Sequence, residues 1–320
     1  MLLPVHIMLE IVRYRRSLHE VHTGQFLAVL ALASATLAAS LAQSSAVHAQ
    51  EPLSPTPQLS RDLPAASEIA RPIRAERNLV FRQVGDTAVT ADLYRPDDEA
   101  IYPLVIVIHG GAWSAGDKWQ VSDHARELAQ AGFVALAINY RLAPAHLLPD
   151  QIDDCRTALQ WAAQQASRWR ADASRACLWG YSAGGHLSAL LATRPQPNDP
   201  PICAVVAGGA PCDFEFIPPA SAALAHVFGG TRAELPAVYQ QASPIAHVSG
   251  DTPPIFFFHG EVDALVPAAS SRRMHDQLRA VGVQSAHHLV PGRGHLLTFI
   301  DSSSRRLAID FLRSHTTDTP

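Results

Sequence analysis

Five short apolar runs constrain the fold more than any other feature: Leu104–Ile108, Phe133–Ile138, Ala176–Trp179, Ile202–Ala207 and Pro254–Phe258. None alternates with polar residues, so none can present one face to water. Each reads as a strand covered on both sides. Helical patterns separate them. Asp117–Ala131 is one. Asp150–Trp169 is a second, with Asp150, Asp153 and Asp154 near its start, where carboxylates suit the helix dipole. Ser182–Ala192 is a third, and Ala268–Val281, stopped by Gly282, a fourth. A last strand over Ala286–Val290 and a closing helix over Leu296–Arg313 follow. Ahead of the series, Leu79–Arg95 alternates around Gly85-Asp86, the pattern of a hairpin. Strands alternating with helices after an antiparallel start predict one α/β fold: a mostly parallel twisted sheet with helices on both faces. Ligands of such sheets bind at the carboxyl ends of the strands. Residues 211–250 break the rhythm and carry Phe214, Phe216, Ile217, Leu224, Val227 and Phe228. They are expected to form a small helical lid.

The 320 residues, 48% hydrophobic and 17% charged, suit one large domain, placed at 78–320. Arg13, Arg15 and Arg16 precede an apolar stretch from Phe26 to Ala42, and Val47-His48-Ala49 puts small residues before a cleavage point. This is the layout of a secretory signal peptide, 1–49, cleaved before Gln50. Translation starting at Met8 would shorten the basic segment, and Arg15-Arg16-Ser17-Leu18 is weakly similar to a twin-arginine signal. The apolar stretch is shorter than the ~20 residues of a spanning helix, so no stable membrane anchor is expected after cleavage, and the mature protein should be periplasmic or secreted. Residues 50–77, with Pro52, Pro55, Pro57, Pro64 and Pro72, read as a Pro-rich linker or arm. With 25 basic and 29 acidic residues, no basic surplus marks a nucleic-acid footprint. Cys155, Cys177, Cys203 and Cys212 form no CxxC pair, which argues against a zinc site of that kind; free thiols and a single disulfide both remain open. No HExxH or DxDxDG pattern points to a metal.

The chemistry-bearing residues fall just after strands. Gly180-Tyr181-Ser182-Ala183-Gly184 follows one strand and opens a helix, the context of a nucleophile elbow, with Ser182 exposed at the top of the sheet and a helix N-terminus behind it. His109-Gly110-Gly111-Ala112-Trp113 follows another. Its glycines let backbone approach a substrate oxygen, so Gly111, Ala112 and Ala183 are the expected oxyanion-hole donors. His109 is expected to brace the loop. After Pro254–Phe258 the loop offers Glu261 and Asp263, and Asp263 is preferred because the chain needs a few residues to turn back toward His295. His295, in Pro291-Gly292-Arg293-Gly294-His295, is the expected general base, with the carboxylate holding its Nδ1–H. His287 and His288 lie in a strand and are read as structural. Trp113 and Tyr181 are expected to line the substrate pocket; Phe214 and Phe216 could join them or form lid core.

Together these residues, with Asn139-Tyr140-Arg141-Leu142-Ala143-Pro144 and Gly185, resemble the α/β-hydrolase esterases. The resemblance runs from about Ile73 to the C-terminus. It is nearest the branch of hormone-sensitive-lipase-like, feruloyl/acetyl-xylan and kynurenine formamidase-like enzymes. It implies an α/β-hydrolase fold and a serine esterase acting on small ester substrates with short to medium acyl groups, with neither metal nor cofactor. Asn139-Tyr140-Arg141 would brace the loop behind the oxyanion hole. Ala112-Trp113 and Tyr181 depart from the lipase-like pattern and lean toward the feruloyl-esterase and formamidase side. Amide or formamide hydrolysis and peptidase activity are the alternatives. A catalytically dead binding protein is a third, against which stands the filling of every catalytic position. Oligomeric state is not readable from the sequence.

Overall fold

The computed structural model describes residues 71–317. The expected signal peptide (1–49) and residues 50–70 of the expected arm lie outside the described residues.

Eight strands form one sheet: β1 (Ile73–Val84), β2 (Thr87–Pro96), β3 (Tyr102–Ile108), β4 (Val134–Ile138), β5 (Ala171–Tyr181), β6 (Ile202–Gly208), β7 (Ile255–Gly260) and β8 (Ser285–Val290). Their spatial order is β1-β2-β4-β3-β5-β6-β7-β8. β1, β2 and β4 pair antiparallel, and every other pairing is parallel. β1 begins at Ile73, ahead of the expected domain boundary at 78, because its first residues pair with Pro96, Arg95 and Tyr94 of β2.

The longer helices are α1 (Ser122–Gln130), α2 (Leu148–Gln164), α3 (Ala183–Thr193), α4 (Pro236–Ala242), α5 (Ala268–Ala280), α6 (His295–Phe299) and α7 (Ser302–Thr316). The sheet's alternation splits the core in two. Leu104, Ile106 and Ile108 of β3 face α2, α3 and α5, whereas Val105 and Val107 face α1 and α7. Both sides of each central strand are therefore buried, and this is why those runs are continuously apolar. α3 is buried along its whole length, which accounts for its Ala, Gly and Leu composition.

Three helices are shorter than their sequence patterns, and α1 begins only at Ser122, after a 3₁₀ turn over Lys118–Val121. The second ends at Gln164, with a separate turn at Ala166–Trp169. The closing segment divides at Asp301, whose carboxylate accepts from Ser304 N and Oγ, both at 2.7 Å, and starts a new helix. The 211–250 segment contains the turn Ala225–Phe228, helix α4 and two 3₁₀ turns, Phe214–Phe216 and Pro244–His247.

β3 is flanked by β4 on one side and β5 on the other. The chain leaving β3 and the chain leaving β5 therefore diverge, and the crevice between their carboxyl ends is the switch point where open α/β sheets bind ligands. Among the described residues no helix is long and apolar enough to cross a membrane, and no cluster of three or more His, Cys, Asp or Glu side chains is arranged to hold a metal ion. All four cysteines are free thiols.

Candidate active site

Ser182 sits in the one-residue turn between β5 and α3, at φ 57° and ψ −121°. A β-carbon-bearing residue rarely holds this backbone, and it persists only where the surroundings enforce it. They do so by contact. Ser182 N–H donates to Gly208 O of β6 at 2.8 Å. A Cβ on Gly184 would lie 2.1 Å from Ile108 O, and one on Gly180 2.1 Å from Gly184 O. Only glycine lets the elbow pack this tightly on the end of β3.

The oxyanion loop leaves β3 beside it. A Cβ on Gly110 would stand 3.3 Å from Ser182 Cβ, so loop and nucleophile are in direct apposition. Gly111, Ala112 and Trp113 all take positive φ, at 116°, 51° and 58°. Ser114 N and Ala115 N close the turn on Gly111 O, and Ala143 N donates to Trp113 O at 2.9 Å. Among the described residues the N–H groups of Gly111 and Ala112 have no acceptor. Two adjacent donors without a partner, against a serine in a strained turn, form a site able to bind an oxyanion. Behind the loop, Tyr140 Oη donates to His109 O at 3.1 Å and its ring stacks on His109 at 4.3 Å. Asn139 holds Asp117, and Arg141 pairs with buried Asp154.

The carboxylate arrives on the β7 loop and the histidine at the start of α6. His295 Nδ1–H donates to Asp263 Oδ2 at 2.6 Å. Asp263 Oδ1 accepts from Leu265 N and Val266 N, both at 2.9 Å. The Asp263 side chain is fully buried. Burial pushes its carboxyl up, but hydrogen bonds from His259 and His295, the charge of His295 and backbone donors outweigh it and hold it well below the usual carboxylate range. Glu261 is turned elsewhere and accepts from Gly292 N at 2.8 Å. His295 reaches the elbow through Gly209, which follows the residue bonded to Ser182 N: a Cβ there would lie 3.1 Å from His295 Cε1 and 2.7 Å from Tyr181 Cζ.

Both residues expected to line the pocket are largely buried in the fold. Trp113 is buried, with its indole against His186, Phe214 and Phe228 and its N–H given to His186 Nδ1 at 3.1 Å. Tyr181 is also buried, and its hydroxyl donates to His295 O at 2.5 Å. Both rings pack against neighbouring aromatic side chains, Tyr181 against Phe258 and the His295 ring. Phe214 is core, while Phe216 is partly exposed with the Arg273 guanidinium 5.4 Å from its ring centre.

The sequence reading passed over His259. Its Nε2 lies 2.9 Å from Val266 O and 3.3 Å from Asp263 Oδ2, and its Nδ1 lies 2.8 Å from Ser271 Oγ. Asp263 thus has a second histidine against the oxygen that serves His295. The signal was present as a His-Gly pair ending an apolar strand four residues before Asp263, but only the pairing across the loop gives it meaning.

The BD-FAE family profile matches residues 91–278. The chain is 36% identical over 198 residues to the probable carboxylic ester hydrolase LipM of Mycobacterium tuberculosis, covering 57% of this chain and 46% of that protein. It is 33% identical over 239 residues to esterase LipC of the same organism, covering 68% and 59%. The chain thus spans about half the length of the curated relatives it matches. Among solved structures, a truncated carbohydrate esterase from gut microbiota superposes with a TM-score of 0.71 at 25% identity, covering 79% of this chain and 99% of that one. The fold is that of the α/β-hydrolases.

Proposed function

The chain belongs to the BD-FAE family, and from that premise we propose that it is a serine carboxylic-ester hydrolase working through Ser182, His295 and Asp263. One observation carries the reading: the Asp263–His295 hydrogen bond, at 2.6 Å, converges on the same side of the sheet as the strained Ser182 and the unpartnered N–H groups of Gly111 and Ala112. In the proposed cycle His295 takes the hydroxyl proton as Ser182 Oγ attacks the ester carbonyl. The negative oxygen of the tetrahedral intermediate is held by the N–H groups of Gly111, Ala112 and Ala183. The imidazolium, steadied by Asp263, then returns the proton to the departing alcohol. Water repeats the sequence on the acyl-enzyme and frees the acid.

The substrates we propose are small esters with short to medium acyl or aryl groups. The similarity to a carbohydrate esterase supports including acetylated sugars among them. The test is a p-nitrophenyl ester series from acetate to palmitate, with methyl ferulate and an acetylated sugar, on the protein and on Ser182→Ala. Short esters or ferulate should turn over, and the variant should lose more than about 10³-fold in kcat. Turnover that survives in Ser182→Ala would sink the mechanism. Silence on every ester, with Ser182 still labelled by a phosphonate, would redirect the reading to amide hydrolysis.

A further inference from the structure

His186 lies one helical turn beyond the nucleophile, and its N–H donates to Ser182 O at 2.9 Å. Its ring is fully buried between two partners belonging to different parts of the chain. Nδ1 lies 3.1 Å from Trp113 Nε1, and Nε2 lies 2.8 Å from Ala242 O. An indole nitrogen can only donate, so Nδ1 must carry a lone pair; a neutral ring then has its proton on Nε2, where a carbonyl waits for it. Burial agrees, pushing the ring's pKa down to about 4, so it is neutral near neutral pH. The tautomer is therefore set by its surroundings, and both ring nitrogens are satisfied.

What this ring holds is the least comfortable backbone in the site. Ala112 and Trp113 are consecutive non-glycine residues at positive φ, an arrangement that is strained and needs outside support. Trp113 supplies that support through its indole, which is packed edge-on to His186 at 5.1 Å and against Phe214 and Phe228. Among the described residues its only side-chain hydrogen bond is the one to His186. On the far side, Ala242 ends α4 of the 211–250 segment, which is itself pinned by Ser243 Oγ accepting from Phe214 N at 3.0 Å. Nucleophile helix, oxyanion loop and inserted segment thus meet on one imidazole.

We propose that His186 is a positioning residue for the oxyanion hole: bridging Trp113 and Ala242, it holds the Ala112–Trp113 backbone in the left-handed form that leaves the Gly111 and Ala112 N–H groups free beside Ser182. The inference rests on the esterase reading above. It goes beyond packing because an apolar residue of similar volume would fill the same space yet leave the indole N–H without an acceptor.

The experiment compares the protein with His186→Gln, His186→Asn and Trp113→Phe. Active sites are counted first with a phosphonate, so that misfolded molecules drop out. For each variant, kcat and KM per titrated site are measured on a short p-nitrophenyl ester, together with the inhibition constant of a trifluoromethyl ketone, whose hemiketal oxygen needs the oxyanion hole. His186→Gln and Trp113→Phe should lose about tenfold to a hundredfold in kcat, with a parallel loss of ketone affinity and KM within about twofold. His186→Asn should recover most of that loss, because its amide oxygen reaches the place of Nδ1 and can accept the indole N–H. Unchanged kcat and ketone affinity per site in His186→Gln and Trp113→Phe, whatever their stability, would overturn the proposal. So would His186→Asn as impaired as His186→Gln. If the unaltered protein neither hydrolyses esters nor labels, the esterase reading has failed instead. Long-range ¹H–¹⁵N spectra of histidine-labelled protein still test the bridge in that case, since a ring protonated at Nδ1 rather than Nε2 would refute it.

Discussion

At the residue scale, the candidate site depends on buried side chains that brace the reacting groups. Tyr181 adjoins the nucleophile, yet its hydroxyl is used on the main-chain oxygen of His295. Its ring packs 5.1 Å from both the His295 and Phe299 rings. That bond ties the first turn of α6, and so the imidazole, to the end of β5. Tyr181→Phe keeps the ring and deletes the tie. A neutral hydrogen bond contributes about 1 kcal/mol net, so kcat should fall about threefold to tenfold while KM stays within about twofold. Steady-state kinetics on a short ester would check this; a rise in KM at constant kcat would return Tyr181 to the pocket wall. The residues themselves were legible in sequence because each motif sits at a strand end. The directions of Trp113 and Tyr181 were not, because side-chain direction in a positive-φ turn depends on what packs around it.

At the scale of elements, strand existence was readable, and so were the bounds of α3 and α5 to within a residue, whereas those of α1, α2 and the closing helix were not. A helix with both ends buried in a crowded layer is cut where a side chain captures a backbone donor, and Asp301 does this between α6 and α7. The break lets α6 point His295 at Asp263 while α7 packs along the sheet, with Arg305 reaching Glu127 in two hydrogen bonds. Asp301→Ala should cost about 1 kcal/mol through loss of the cap. A urea titration would read this as a lower midpoint at unchanged slope, and an unshifted midpoint would show that the break does not depend on the cap. The 211–250 segment, expected as a lid, packs Phe214, Phe228 and Tyr239 together, with Phe214 and Phe228 against Trp113.

At the scale of the whole molecule, the two-sided core encloses several neutral imidazoles. Burial pushes His109 and His186 down to about 4 and His124 and His287 down to about 3, with neighbouring histidines adding to the effect at His287. In the unfolded chain each would titrate near 6.5. Between about pH 6.5 and pH 4 the unfolded state therefore binds more protons, and stability falls as pH falls, by up to about 1.4 kcal/mol per pH unit for each ring. Urea midpoints should be flat above pH 7 and drop steadily toward pH 4. Below that, protonation of Asp263, whose carboxyl is held low in the fold, removes a further contribution. Among the described residues His124 has no partner at Nδ1, and it rests against Phe299 and Trp179, so His124→Gln should reduce the slope by about one proton. A midpoint indifferent to pH between 7 and 4.5 would contradict this account.

The strand runs, the elbow, the glycine-rich loop and the chain order of serine, carboxylate and histidine were properties of the sequence by itself. Each rests on local pattern: periodicity, a glycine where a Cβ cannot fit, a polar residue at a strand end. Tertiary structure decided what depends on distance through space. It brought Asp263 rather than Glu261 to His295, set His259 on the same carboxylate, buried Trp113 and Tyr181, and gave His186 two partners seventy-three residues before it and fifty-six after. A buried polar group must find its partner wherever the fold places one, and no spacing along a chain states where that will be.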